Sequence, residues 1–490
     1  MPSCSTLHSL SYLLLSLSTL SSFSFLYWPY QPRNHCPHTR SQTQTQTPPL
    51  NLLSLSTAWN HLSFSPLSPS SPPLTLALFV KKWPHPSRAG GLERHALTLH
   101  LALAERGHQI HIFTTTPQNP PLQPSPHPNL HFHFIKPTPS GFLNQARAVD
   151  KFRELNRTHL FDLIHTESVA LSHANALTMQ CNVVASWHGF AYETVSSDLA
   201  MDLTREPKEP RPLSLHQRLA SRLFWIIDEI NFFGDYSHHV ATSEHAGDVL
   251  RRVYMLPPDR VHVILNGVDN GFFRPDPPRG AIFRRNFGVP ENASLVFGLA
   301  GRLVKDKGHP LMFQALIQIL KDRNNSGVFV LVAGDGPWGK RYRELGPNIL
   351  VLGPLERERL AGFYNALDVF VNPTLRAQGL DHTLLEAMAS GKPVMATGFA
   401  SITGSVIVGE EVGYTFSPTV ESLKVSLSRV LAEGKGVFDK KGEKARERAA
   451  KLFTSAKMAA AYERLFLCLS PRHRKNGGLD FCRYPLPSDQ

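Results

Sequence analysis

The stretch Arg-Ala-Gln-Gly-Leu-Asp-His-Thr-Leu-Leu-Glu-Ala-Met-Ala-Ser-Gly-Lys-Pro-Val-Met-Ala-Thr fills residues 376–397. A polar loop holding Gly379 leads into a short helix carrying Glu386. Gly391 and Pro393 end that helix, since glycine leaves the helical well freely and proline cannot donate to it. A strand opens at Val394. A loop–helix–strand unit of this kind sets Glu386 near the carboxyl edge of a parallel sheet, where a carboxylate is placed to hold the hydroxyls of a ribose.

Strands and helices alternate outward from this unit. A series beginning near Asn292 reads as strands Leu295–Ala300, Val328–Ala333, Ile349–Leu352, Val369–Asn372 and Val394–Thr397, with helices Leu311–Lys321 and Glu356–Ala366 between them. An earlier series opens with strand Leu74–Val80, the loop of Gly90 and Gly91, and helix Leu92–Arg106. In that helix Leu92, His95, Ala96, Leu99 and Leu103 share one face. Gly107 ends the helix and strand Gln109–Thr114 follows, a βαβ opening that predicts parallel winding. Further strands are expected at Leu130–Ile135, Phe161–His165, Val183–His188, Val240–Ser243 and Val261–Leu265. The predicted fold class is α/β: two Rossmann-like, doubly wound parallel-sheet domains facing a cleft. Residues 74–265 form the first domain and 266–454 the second. Residues 455–490 supply a crossing helix and a loose polar tail. A chain of 490 residues exceeds what one core supports, in keeping with two domains.

Composition narrows the class. The chain is 42% hydrophobic and 18% charged, as suits a globular enzyme. Of its net charge of +12, five positive charges (Arg33, Arg40, Lys81, Lys82 and Arg88) precede the first acid, Glu93. No basic face or reading motif is visible, so nucleic acid is not an expected partner. Five cysteines without a CxxC make neither a disulfide framework nor a metal site, and unpaired thiols are expected; Cys468 with Cys482 is the one bridge considered. Residues 1–73 contain no acid, and 41–47 read Ser-Gln-Thr-Gln-Thr-Gln-Thr. Such a segment buries too little apolar surface to offset its chain entropy, and it is expected to lie outside the fold. Within it, Leu10 to Trp28 is an uncharged apolar run of membrane-spanning length. The expectation is a signal anchor and a single-pass type II protein of the secretory pathway (Golgi); a plastid transit peptide is the alternative.

The chemistry-bearing residues gather at strand ends. Gly301-Arg302-Leu303 and Lys305-Asp306-Lys307-Gly308 follow the first strand of the second series and precede a helix. A strand end meeting a helix N-terminus favours anions, and Arg302 and Lys307 add two cations able to neutralise a departing diphosphate. Gly334 and Gly336 end the next strand, where glycine allows a tight turn and close backbone approach. Gly334 to Arg341 imitates a P-loop, but Arg341 stands where Ser or Thr must hold Mg²⁺, which rejects a nucleoside triphosphatase. Gly90 and Gly91 sit between the first strand and the first helix, with amides for the cleft. His188 ends a buried strand before Gly189, placed to bond a sugar hydroxyl. No Asp-x-Asp pair occurs and no histidine spacing suggests a metal site, so no metal is called for.

Together these motifs resemble the retaining glycosyltransferases of the GT-B fold, family four (glycosyl transferases group 1), over residues 74–468. Residues 376–397 resemble that family's donor-site signature, Asn266-Gly267-Val268-Asp269 the start of its second domain, and Gly90-Gly91-Leu92-Glu93-Arg94 its glycine-rich loop. The resemblance implies Arg302, Lys307 and His188 as catalytic residues. It implies Gly90, Gly91, Gly301, Arg302, Lys307, Gly334, Gly336, Gln378, Gly379, Leu380 and Glu386 as donor-binding residues. The family shows two glutamates separated by seven residues; here Gln378 stands at the first position and Glu386 at the second. An amide still bonds a sugar but carries no charge, and Asp381 is the nearby candidate to replace it. The implied activity moves a sugar from a UDP- or GDP-sugar to a hydroxyl on a glycan, lipid or small molecule. It proceeds with retention and needs neither metal nor cofactor. Gln378 motivates the alternative, a nucleotide-sugar-binding regulator without turnover.

Overall fold

The computed structural model describes residues 49–65, 73–84, 90–116, 127–205, 215–321, 327–377, 380–473, 475–476 and 479–489. Short apolar runs, buried on both faces as parallel strands are, assemble into two sheets. The first contains β1 (Thr75–Phe79), β2 (Gln109–Thr115), β3 (Leu130–Ile135), β4 (Leu163–Glu167), β5 (Val183–Trp187), β6 (His238–Ala241) and β7 (Val261–Val263). The second contains β8 (Leu295–Ala300), β9 (Val328–Ala333), β10 (Ile349–Gly353), β11 (Val369–Asn372), β12 (Val394–Thr397) and β13 (Gly413–Phe416).

The strand orders are β3-β2-β1-β4-β5-β6-β7 and β10-β9-β8-β11-β12-β13, with every neighbour parallel. Each order reverses once, between β1 and β4 and between β8 and β11. Connections at such a reversal leave to opposite faces, and a crevice opens at the carboxyl ends of the two strands. The two expected Rossmann-like sheets are present, and each has one such crevice.

The helices that frame the site are α1 (Gly91–Glu105), α2 (Ala191–Leu203), α3 (Leu215–Phe233), α4 (His309–Leu320), α5 (Arg357–Asn365), α6 (His382–Ala389), α7 (Lys435–Leu452) and α8 (Ser455–Leu469). Helix α8 begins where Thr454 caps the Lys457 amide, and it packs on α1 of the first lobe. Its Met458, Leu465 and Phe466 share a core with Leu76, Leu99 and Ile110.

Several expectations need correction. Strand β4 starts two residues later than read and ends on Glu167, which the apolar pattern did not include. Strand β13 was not anticipated; at four residues, Gly-Tyr-Thr-Phe carries little periodic signal. Residues 1–73 do not all lie outside the fold. Trp59 and Asn60 are buried, and the Asn60 side chain donates to the Leu265 and Leu452 carbonyls and accepts from the Leu265 amide. One buried amide satisfying three backbone groups explains why an acid-free, serine-rich segment docks here. The tail is not loose either: Phe481, Cys482 and Leu486 are buried, and Arg464 pairs with Asp489 through both carboxylate oxygens. Cys468 and Cys482 form a disulfide rather than the expected free thiols. The apolar run Leu10 to Trp28 and its anchor reading lie outside the described residues. Among the described residues no helix is long and apolar enough to cross a membrane.

The interior holds many histidines in the neutral state. Burial pushes His100 and His309 down to about 4 and His239 down to about 3, from the usual 6.5. Each binds its proton later in the folded state than in the unfolded chain. Their stabilisation is therefore complete above about pH 6.5 and is lost as pH falls toward 4. At pH 5 the loss is about 2 kcal/mol per imidazole, partly offset by Glu386, Glu193 and Glu229, whose carboxyls burial raises. The melting temperature should drop by about 10 °C between pH 7 and pH 5. A calorimetric scan showing it flat across that window would mean these imidazoles are not buried neutral.

Candidate functional site

The crevice of the second sheet is bordered by the loop that follows β8, and the loop that follows β9 packs against that loop. Gly301 follows β8 at φ 127° with open space beside it, and its amide donates to the Ala333 carbonyl. Gly334 follows β9 at φ 142°, and a Cβ there would lie 1.8 Å from the Gly301 carbonyl oxygen. A Cβ on Gly336 would lie 2.5 Å from the Leu303 carbonyl oxygen. Glycine at 334 and 336 therefore lets two loops interlock, which leaves Gly301 as the one of the three that borders free space. The Lys305–Lys307 turn follows, and Gly308, at φ 76°, opens α4. Arg302 reaches outward, 62% exposed and 3.8 Å from Asp306. His309 holds the Arg302 carbonyl at 3.1 Å and the Tyr342 hydroxyl at 2.9 Å, which fixes the loop's backbone while the guanidinium is exposed.

Lys307 points the other way. Its ammonium donates to Asp381 at 2.6 Å. Asp381 is the cap of α6, accepting from the Thr383 amide and hydroxyl. Burial works to raise the Asp381 carboxyl, but Lys307 and the hydrogen bonds from Asn372 and the Thr383 amide hold it well below the usual carboxylate range. Asp381 is thus committed to Lys307 and to the helix cap, and it does not stand in for the missing glutamate. Gln378 and Gly379 lie outside the described residues. Leu380 is buried, and its carbonyl accepts from Asn266 at 2.9 Å.

Glu386, on α6, is 4% exposed. One oxygen accepts from Tyr364 of α5 at 2.7 Å and the other from Arg94 of α1 at 2.7 Å. Burial pushes its carboxyl up, against the pull of Arg94. The expected open carboxylate is therefore already held, though two oxygens offer about four acceptor positions and leave some vacant. Arg94 spans from the first lobe to the second. Beside it, a Cβ on Gly91 would lie 4.0 Å from the His382 ring, while Gly90 caps α1 in extended backbone. The glycine-rich loop thus meets α6 directly across the cleft.

At the crevice of the first sheet stands Glu167, which the sequence reading missed. It ends β4, has no solvent exposure, and accepts from His188 at 2.6 Å and from His95 at 3.0 Å. Burial alone would raise Glu167, but the two imidazoles hold it well below its usual range, and burial lowers His188. An ionised carboxylate facing a neutral imidazole requires the N–H on His188 Nε2. The lone pair then sits on Nδ1, free of the carboxylate. His95 makes the same kind of contact through Nδ1, and its Nε2 stands 3.5 Å from the Tyr462 hydroxyl on α8. Tyr462 continues to Ser186, Ser186 to His165, and His165 to His100. His95, Glu167 and His188 lie close enough together to hold an ion, as do His100, His165 and Glu167. Each Glu167 oxygen is already bound to an imidazole N–H, which accounts for the first grouping by hydrogen bonding. Of this network the sequence reading singled out His188 at its strand end, and it placed His95 on the apolar face of α1.

Residues 89–272 match the domain family described as Glycosyltransferase Family 4, and residues 294–433 match Glycosyl transferases group 1. This chain belongs to the family four glycosyltransferases. Both matches fall on the lobes that carry the two crevices. The glycosyltransferase is 27% identical over 347 residues to the D-inositol 3-phosphate glycosyltransferase of Xylanimonas cellulosilytica, covering 65% of this chain and 78% of that protein. Its fold is similar to sucrose-phosphate synthase of Thermosynechococcus elongatus, with TM-score 0.64, 22% identity, and 80% and 98% of the two chains covered. It is also similar to Anabaena HepE, solved in complex with UDP-glucose, with TM-score 0.59, 16% identity and 80% and 99% covered. These comparisons overturn the Golgi, single-pass expectation. Curated relatives include the D-inositol 3-phosphate glycosyltransferases of Xylanimonas cellulosilytica and Stackebrandtia nassauensis, which are bacterial, and no described helix is long and apolar enough to cross a membrane.

Arg94 and Glu386 give a direct test of the contact between lobes. Removing one partner of a mostly buried pair strands the other, while removing both does not. In a cycle of Arg94→Met, Glu386→Gln and the double variant, urea unfolding should return a coupling energy of about 1–3 kcal/mol. A value near zero would make the contact incidental.

Proposed function

We propose that this glycosyltransferase moves a hexosyl group from a UDP- or GDP-sugar to a hydroxyl acceptor, with retention of configuration and without a divalent metal. The observation that carries the reading is the opposition of two crevices: Gly301, Arg302 and Lys307 at one, Glu167 and His188 at the other. The donor's diphosphate sits at the end of β8, against the N-terminus of α4. There Lys307 exchanges Asp381 for phosphate, and exposed Arg302 folds in to share the charge as the bond to the sugar breaks. Glu386 keeps lone pairs for the ribose hydroxyls. The Nδ1 lone pair of His188, fixed by Glu167, accepts from a hydroxyl of the transferred sugar. The complex of HepE with UDP-glucose supports a uridine donor. Freedom from metal is supported by the absence of any Asp-x-Asp pair and by two cations at the place where charge develops.

Lys307→Ala should lower kcat/KM by about 100-fold or more while circular dichroism stays native. Glu167→Gln should lower kcat by about 100-fold, leaving the donor KM unchanged, because it disturbs the tautomer and not the diphosphate. UDP-glucose and GDP-mannose would be screened for nucleotide release, with EDTA present and the product's anomeric configuration read by NMR. Unaltered activity in Lys307→Ala removes the cation clamp from the scheme. Donor binding without turnover in the wild-type protein replaces it with the regulator that Gln378 suggests.

A further inference from the structure

Glu167, His95 and His188 serve sugar transfer in one way, by fixing a tautomer. Their chemistry allows a second use. Two imidazoles and a carboxylate are a ligand set suited to zinc and its first-row neighbours. Here the ligating atoms lie within 4.8 Å of one another. His188 Nε2 stands 2.6 Å from one Glu167 oxygen, and His95 Nδ1 stands 3.0 Å from the other. Ligands at about 2.0–2.2 Å from a tetrahedral ion sit roughly 3.3 Å apart, so each contact has to widen by less than about 1 Å.

Charge and access favour a cation. Glu167 is held ionised, burial keeps His188 from charging, and the other acid acting on His188 is Glu93. The His188 side chain is 15% exposed, so the cluster opens to the cleft on that side. The neighbouring grouping of His100, His165 and Glu167 has no such opening, for all three are fully buried. Its nitrogens are also committed: His100 to the Ala96 carbonyl and to His165, and His165 to Ser186. Tautomers point the same way. Bound to an ion through Nδ1, His95 carries its proton on Nε2, which faces the Tyr462 hydroxyl at 3.5 Å; that hydroxyl reaches Ser186 at 2.7 Å. A metal-bound imidazole calls for an outer partner of this kind. Bound through Nε2, His188 carries its proton on Nδ1, the nitrogen that otherwise accepts from a sugar hydroxyl. Each proton changes nitrogen within its own ring by exchange with water, so none is gained or lost.

We propose that His95 Nδ1, Glu167 and His188 Nε2 bind a divalent transition-metal ion of the zinc class, and that the bound ion arrests sugar transfer by turning His188 Nδ1 from an acceptor into a donor. The arrest rests on the transfer reading above; the binding does not.

Titration of the full chain with Co²⁺, read by its visible absorption, tests the binding, with Zn²⁺ as competitor and Mg²⁺ as the hard-ion control. The wild type should bind Co²⁺ with a Kd on the order of 10 µM or tighter. Zn²⁺ should displace it and Mg²⁺ should not. Glu167→Gln and the partly exposed His188→Asn should each weaken binding at least about tenfold, with circular dichroism unchanged. His133, partly exposed and 3.0 Å from His111, is the control imidazole, and His133→Asn should leave binding intact. No Co²⁺ bound by the wild type, equal binding by His188→Asn, or loss of binding in His133→Asn overturns the site. X-ray absorption of the zinc-loaded wild type should show two imidazoles with oxygen, and a thiolate or a set without imidazole overturns it with no variant involved. Zn²⁺ should stop nucleotide release from the donor, and EDTA should restore it. Transfer that continues in the zinc-loaded protein overturns the arrest. If the metal-free protein turns over no donor, the transfer reading fails, and the Co²⁺ titration alone decides the site.

Discussion

Glu167 is a carboxylate without access to water, and it stays ionised because two imidazole N–H groups hold it. Much of the first lobe's arrangement follows from that one requirement. A lone buried charge costs several kcal/mol, so the chain must bring donors to both oxygens. His188 comes from the end of β5 and His95 from α1. The far side of His95 then needs a partner, which Tyr462 supplies from a helix near the other end of the chain. This gives α8 a polar reason, beside its apolar one, to leave the second lobe and lie on the first.

The second lobe shows a complementary economy. Its cation Lys307 and its carboxylates Asp381 and Glu386 are paired with protein groups, not left bare. Ions held this way avoid desolvation in the absence of substrate. They also set what a substrate must do, since it has to present a group that outcompetes a carboxylate for Lys307. A diphosphate carries more charge than Asp381 and can accept from Arg302 at the same time. Arg94 adds a term between the lobes, for it links the first helix of one to the sixth framing helix of the other through Glu386.

The strand series of both lobes was legible because parallel strands, buried on both faces, read as unbroken apolar runs. Val328–Ala333 and Leu295–Ala300 were placed to the residue. The failures share a cause. Glu167 is a charged residue inside a strand end, Asn60 a polar residue in a serine-rich leader, and Asp489 an acid in a polar tail. Each is buried only because a distant partner satisfies it: His95 and His188, the Leu265 and Leu452 backbone, and Arg464. Local pattern carries no trace of such partners, so local pattern assigned these residues to the outside.

The sequence by itself determined the two parallel sheets and the placing of Gly301, Arg302, Lys307 and His188 at their carboxyl edges. Those features follow from periodicity, turn chemistry and the polarity of a strand, all of which act between near neighbours. The tertiary structure decided which charges meet. Arg94 finds Glu386 292 positions away, and Glu167 draws in His95 from 72 positions away. Ion pairing depends on separation in space and on exclusion of water, and neither quantity exists until the chain has folded.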